Sequence, residues 1–196
     1  MAQPGFKAAG ELTAYFEKEQ AMDRNILVAY ASQYGATKEI AEKIGEGLRQ
    51  AGLQADVLPL DGIRDPNSYR AIVFGSGVYI GNWPQKAAAF LQANEKILAD
   101  RPVWLFSSGP TGEGDPVELL KGWRLPASLQ SVADRIRPRD VAVFHGFINP
   151  DKPNVIQKWV IKNIVKAPFG DYRDWGMIVT WTNTIAAGLQ GAQSLR

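Results

Sequence analysis

The chain has 196 residues, 45% of them hydrophobic, and a formal net charge of +2, which suits one well-packed domain and is short for two. It holds no cysteine and a single histidine, His145, which excludes disulfides, thiolate metal sites, a thiol nucleophile and a multi-histidine metal cluster. Charge is unevenly spread: residues 1–120 carry 11 Lys/Arg against 15 Asp/Glu, a net of −4, whereas residues 121–196 carry 11 against 5, a net of +6.

In chain order, residues 1–24 stand apart from the pattern that follows. Leu12, Tyr15, Phe16 and Glu19 have the spacing of a short amphipathic helix, and Met22 would make an ordinary start. This stretch is read as an N-terminal arm, helical or flexible, ahead of one domain over residues 25–190. No apolar run approaches a bilayer span and the first residues lack a signal-peptide core, so a soluble cytoplasmic protein is expected.

Residues 27–31 read as a buried strand, and residues 38–51 as a helix whose Ile40, Ala41, Ile44 and Leu48 share one face. Gly52 ends that helix. A second strand is expected over 55–60 and a third over 71–75, the latter with no polar alternation. Pro84 fits the first turn of a helix reaching about Leu98. A fourth strand over 103–106, a helix over 127–135 and a fifth strand over 141–144 follow. Continuous apolar strands separated by helices argue for a parallel sheet covered on both faces, a doubly wound α/β fold.

After Pro153, Val155, Ile156, Trp159, Val160, Ile164 and Val165 form an apolar face, with Lys152, Lys158, Lys162 and Lys166 mainly opposite. Packing on the sheet explains such a helix. A basic amphipathic helix with tryptophan also suits an anionic membrane surface or an apolar cofactor such as a quinone. A further helix over 182–189 could supply the packing instead.

In open parallel sheets ligands sit beyond the carboxyl ends of the strands, where strand order reverses. The loops after strands one, three and four are polar and rich in glycine. The first is Ser32, Gln33, Tyr34, Gly35, Ala36 and Thr37. It offers three hydroxyls and a helix N-terminus, whose unpaired amides and dipole favour a phosphate group. No lysine or arginine lies between Ile26 and Thr37, unlike a triphosphate-binding P-loop, which needs Gly-Lys-Ser/Thr. The bland alternative is a simple helix cap. In the second loop, Gly75, Ser76, Gly77, Val78, Tyr79, Ile80, Gly81, Asn82 and Trp83, the glycines are expected to permit positive φ and close backbone approach. Tyr79 and Trp83 offer flat faces to an isoalloxazine ring, with core packing an equal alternative. The third loop, with Ser107, Ser108, Gly109, Gly112 and Glu113, can line the other side of the ring. One phosphate loop and two ring loops make a site for flavin mononucleotide (FMN).

The set resembles the flavodoxin family, whose phosphate loop reads Ser/Thr-x-Thr/Tyr-Gly-x-Thr, and Ser32, Tyr34, Gly35 and Thr37 match it in place. Ala36 stands where many flavodoxins have asparagine. The resemblance implies a five-stranded sheet of order 2-1-3-4-5. The chain is also similar to the flavodoxin-like menaquinone-dependent protoporphyrinogen IX dehydrogenases. That likeness lies in a long segment between strands four and five (109–139), the basic segment 152–166, and Asp171, Tyr172, Arg173, Asp174 and Trp175. It implies an FMN-dependent oxidoreductase taking electrons from an organic donor such as a porphyrinogen and passing them to a quinone.

Such chemistry asks the protein to position and tune the ring and requires no nucleophile, and no side chain is singled out as catalytic. His145 reads as a structural residue rather than a general base, and Glu113 and Asp115 as solvated loop charges. Two other readings stay open. An electron carrier of the flavodoxin type would be expected to have a strongly acidic surface, which a charge of +2 with a basic tail does not match. An NAD(P)H:quinone reductase would bind nicotinamide without a fingerprint, since Gly75-x-Gly77 lacks the spacing of Gly-x-Gly-x-x-Gly. The positive charge shows no aromatic-studded pattern for nucleic acid.

Overall fold

A computed structural model describes residues 25–148 and 170–191. Five strands, β1 (Asn25–Ala31), β2 (Gln54–Pro59), β3 (Ala71–Gly77), β4 (Val103–Ser108) and β5 (Asp140–Phe144), form one sheet of order β2-β1-β3-β4-β5. Every pairing in it is parallel. The expected doubly wound architecture and strand order are therefore present.

Strand alternation sends side chains to two separate cores. On one face Ile26 and Val28 of β1, Val73 of β3 and Phe106 of β4 pack against α1 (Ala36–Gln50) and α6 (Trp175–Gly191). On the other, Leu27, Ile72, Phe74 and Leu105 meet α2 (Gln85–Ala93), α3 (Glu95–Ala99) and α5 (Ala127–Ile136). The first core is strongly aromatic, with Phe106, Phe144 and Trp181 in mutual ring contact at centroid separations of 5.4 to 6.1 Å. Burying each such side chain contributes roughly 1.5–3 kcal/mol.

Two helices differ from the sequence expectation. The helix expected from Pro84 to about Leu98 is divided at Asn94, whose backbone sits at φ −108°, ψ 13°. Its side-chain amide donates to Phe90 O at 2.9 Å, the local competition with helix geometry that asparagine offers. The last helix begins at Trp175 rather than near Thr182. Asp174 caps it, its carboxylate accepting from Met177 N–H at 2.9 Å. This helix covers the α1 face of the sheet, so the packing there belongs to α6. The segment 152–166 and the arm 1–24 lie outside the described residues. Among those described, no helix is long and apolar enough to cross a membrane.

Beyond β5 the chain makes a small antiparallel pair, β6 (Phe147–Ile148) with β7 (Gly170–Asp171). A short helix, α4 (Pro116–Leu119), lies in the long connection between β4 and α5.

Candidate functional site

The carboxyl ends of β1, β3 and β4 finish at one level, because Ala31 pairs with Ser76, Ser76 with Ser107, and Gly77 with Ser108. Three loops leave the sheet side by side at the reversal between β1 and β3, where such sheets bind ligands. They are the loops singled out from the sequence.

The first loop is closed by its own atoms. Gly35 takes φ 96°, and its N–H donates to Ser32 Oγ at 3.0 Å. Only glycine adopts this conformation without cost. The first helical bond runs from Glu39 N–H to Gly35 O at 3.0 Å, and no side chain caps α1. The amides of the first turn are thus left for an external acceptor, and the expected helix-capping alternative does not describe this turn. Tyr34 is exposed. Thr37 is only 2% exposed, and its Oγ1 lies 2.9 Å from Ser108 Oγ. It stands where the first and third loops join, not at the rim.

In the second loop the glycines do different work from that expected. Gly75 and Gly77 lie within β3, and positive φ occurs at Ile80 (51°) and Gly81 (74°). A Cβ on Gly75 would fall 1.9 Å from Phe106 Cζ, so this glycine makes room for a core ring rather than for a ligand. Gly77 gives room to Tyr79 and Thr37, with Tyr79 OH 2.8 Å from its Cβ position. Ile80 and Gly81 form a two-residue turn closed by Tyr79 N–H to Asn82 O at 2.8 Å and Asn82 N–H to Tyr79 O at 3.1 Å. Both turn residues have the left-handed backbone of a type I′ turn. For a β-branched residue this is a strained position, and it leaves Ile80 74% exposed.

Trp83 is not a ring platform. It is 5% exposed, meets Phe74 edge-on, and donates from Nε1 to Ser107 Oγ at 2.9 Å. Ser107 in turn donates to Arg124 O at 2.8 Å, so its hydroxyl is spent inside the fold. Ser76 is buried too and donates to Gly77 O at 3.1 Å. Tyr79 leans over the first loop, its ring edge-on to Tyr34 at 5.7 Å and its hydroxyl accepting from Gln33 N–H at 3.4 Å. Burial pushes the Tyr79 phenol up, with a smaller opposing effect of the Gln33 bond, so it stays a neutral phenol with a proton to donate.

The third loop is braced from below. Val78 N–H donates to Ser108 O at 2.8 Å, and Gly109 N–H to Phe144 O at 3.2 Å. His145 is buried, with Nδ1 3.2 Å from Pro110 O and Nε2 2.8 Å from Gly114 O. Both ring nitrogens face carbonyl oxygens, which makes it a clamp on residues 110–114, as its structural reading expects. Gly112 and Gly114 take φ 132° and 99° to make the curve. Glu113 is exposed. Asp115 is a helix cap rather than a free loop charge, its carboxylate accepting from Val117 and Glu118 N–H at 2.7 and 2.9 Å.

The sequence reading took His145 as structural but did not foresee that it braces the third loop from outside the three loops. Gly146 N–H donates to Pro110 O at 2.9 Å and Tyr172 N–H to Gly146 O at 3.2 Å, which sets the β6–β7 pair against the third loop. Only the position of His145 directly after a strand could have marked it. A separate recess lined by Trp123, Arg124, Gln130, Arg137 and Val141 shares no residue with the three loops.

The donor set fits FMN. Its phosphate can meet the uncapped amides of α1 and the hydroxyls of Ser32 and Tyr34, with no lysine or arginine in the loop. Its ring can lie among Val78, Tyr79, Ile80 and Gly109. Among the described residues no cluster of three or more His, Cys, Asp or Glu could hold a metal.

Comparisons with known proteins agree. The chain is 23% identical over 170 residues to the protoporphyrinogen IX dehydrogenase [quinone] of Escherichia coli strain K12, spanning 82% of this chain and 93% of that one. An NAD(P)H dehydrogenase (quinone) of Paraburkholderia phymatum is 33% identical over 88 residues, 34% of this chain and 44% of its own. A flavodoxin from the domain Archaea superposes with a TM-score of 0.55 at 16% identity, covering 85% of this chain and 99% of that one. A flavodoxin-domain family model matches residues 27–173, and with the strand order and loop set above the chain belongs to the flavodoxin family of FMN-binding oxidation–reduction proteins.

Proposed function

We propose that the protein is a protoporphyrinogen IX dehydrogenase that passes electrons to a quinone, with FMN held by the three loops. The observation that carries this reading is the apolar rim of the site. Ile80 is 74% exposed and Tyr34 43% exposed, on two loops joined by the Tyr34–Tyr79 ring contact, and apolar side chains grouped at a site, unlike ones scattered singly, suit a binding surface. The tetrapyrrole face of the donor and the quinone acceptor are both large and apolar, and such a rim suits them. The likeness to the Escherichia coli dehydrogenase, which spans 93% of that protein, supports the same reading.

Bound FMN supplies the two-electron acceptor and donor. The residues supply placement. The uncapped first turn of α1 and the hydroxyls of Ser32 and Tyr34 would hold the phosphate, Thr37 and Ser108 fix the spacing between the phosphate loop and the third loop, and Val78, Tyr79, Ile80, Gly81, Gly109, Gly112 and Glu113 would line the ring. Tyr79, protonated and folded over Gln33, closes the joint between phosphate and ring against water.

The test is anaerobic titration of the FMN-loaded protein with protoporphyrinogen IX, following flavin absorbance before and after addition of a menaquinone analogue. Bleaching by the porphyrinogen and recovery with the quinone is the expected result. A flavin that stays oxidised with this donor, yet takes up electrons one at a time from dithionite, would instead mark the protein as an electron carrier.

A further inference from the structure

Glu39 lies in the first turn of α1, with Oε1 4.0 Å from the Cβ position of Gly35. A carboxylate there favours the helix dipole but competes with a bound anion: it stands beside the glycine that shapes the phosphate loop, in a segment whose amides await one. The only lysine in that turn, Lys38, faces Glu42 at 3.6 Å. Glu39 is answered from a distant part of the chain. Arg173 Nη1 donates to Glu39 Oε2 at 2.7 Å. The same guanidinium makes a bidentate pair with Asp171, Nε to Oδ1 at 2.8 Å and Nη2 to Oδ2 at 2.7 Å.

Arg173 is built in rather than draped over the surface. Its side chain is 5% exposed. Its guanidinium lies 5.1 Å from the centroid of Phe147 and 4.6 Å from that of Trp175. Stacking of this kind fixes the planar group and is specific to arginine. Burial alone would lower its basicity, and the hydrogen bonds to Asp171 and Glu39 outweigh that. The cation is therefore held against Glu39, the carboxylate next to a phosphate loop that has no cation of its own.

We propose that Arg173 is a positioning residue that offsets the Glu39 carboxylate beside the phosphate loop, limiting the repulsion that a phosphorylated flavin meets there. The inference rests on the FMN reading of that loop. Glu39, Arg173 and Asp171 together carry −1. Without Arg173 the group carries −2 next to the phosphate, and without Glu39 it carries none. Across this range the phosphate dianion feels a graded repulsion, whereas a flavin lacking phosphate feels nothing.

The experiment measures dissociation constants of FMN and riboflavin by fluorescence quenching for the wild-type protein, Arg173→Gln, Glu39→Gln and the double variant. Arg173→Gln should weaken FMN by about three- to tenfold, the size expected of a unit charge near a dianion at a wet surface. Glu39→Gln should tighten FMN by a similar factor, and the double variant should return close to wild type. Riboflavin should change less than about twofold throughout. The FMN differences should shrink in 0.5 M salt.

Equal weakening of both flavins by Arg173→Gln, or a double variant as weak as the single one, would show a purely structural role and overturn the proposal. Glu39→Gln leaves the Arg173–Asp171 pair and both stacking rings in place, so it decides the matter even where Arg173→Gln does not fold. An unchanged or weaker FMN affinity in Glu39→Gln overturns the proposal as well. A wild-type protein that binds neither flavin would instead defeat the reading of the site itself.

Discussion

The phosphate end and the ring end of the site are built by different means. The phosphate end is local: Ser32, Gly35 and the start of α1 lie within a few residues, and the bond from Gly35 N–H to Ser32 Oγ closes the turn internally. The ring end is assembled from afar. Its third loop is held by His145 and Gly146, which are set in turn against Tyr172. A binding loop coded by consecutive residues carries its own geometry. One held by remote contacts depends on the whole domain being folded, and its failures should look different.

The largest expected effect tests the remote bracing. His145→Ala removes a buried ring and its contact with Gly114 O, and leaves Pro110 O with Gly146 N–H alone. Such losses cost about 3 kcal/mol, read as a lower denaturant midpoint. FMN and riboflavin should weaken together, because both need the ring loops. A variant that loses affinity for FMN but keeps riboflavin would break the distinction between the two ends.

Next in size is the joint between them. Thr37→Val keeps shape and volume but removes the contact between Thr37 Oγ1 and Ser108 Oγ, both of which are buried. Stability should fall by about 1 kcal/mol, and FMN affinity should fall more than riboflavin affinity. Equal loss for both flavins would place Thr37 with the ring end and redraw the boundary.

The same contrast explains what could be read from the sequence. Strand order, the two covered faces and the phosphate loop follow from short-range patterns: apolar runs, a helix with one buried face, and a glycine between a hydroxyl-rich turn and that helix. What escaped was long-range. Gly75 looks like a ligand-binding glycine in a row of three, and only the facing Phe106 ring shows that it is a packing glycine. Trp83 has the composition of a ring platform, but its indole N–H is claimed by Ser107, which lies on a neighbouring strand. The turn at Ile80 and Gly81 was hidden because its usual signature is Asn-Gly, and here a strained isoleucine takes the first place. Arg173 could be seen as part of a motif, but its meeting with Glu39 spans most of the chain.

The smallest expected effect concerns the strap that ties the two ends together. Hydrogen bonds from the Arg173 guanidinium hold the Asp171 carboxyl below the usual carboxylate range. A folded-state value below the unfolded one means stability that is fully present above about pH 4, the ordinary aspartate value, and lost as pH falls through the lower folded value. The Asp171 side chain is 41% exposed, so solvent screening limits the contribution to on the order of 0.5 kcal/mol. Asp171→Asn should therefore lower stability slightly at neutral pH and flatten the acid limb of the stability curve. Wild type and variant should converge as the pH drops below the folded-state value. Because Arg173 would keep Glu39 and both stacking rings, FMN should bind at least as tightly in the variant, with one negative charge fewer near its phosphate. A loss of FMN affinity in Asp171→Asn would mean that the carboxylate aims Arg173 at Glu39, making the strap a geometric support for the phosphate end rather than a charge balance.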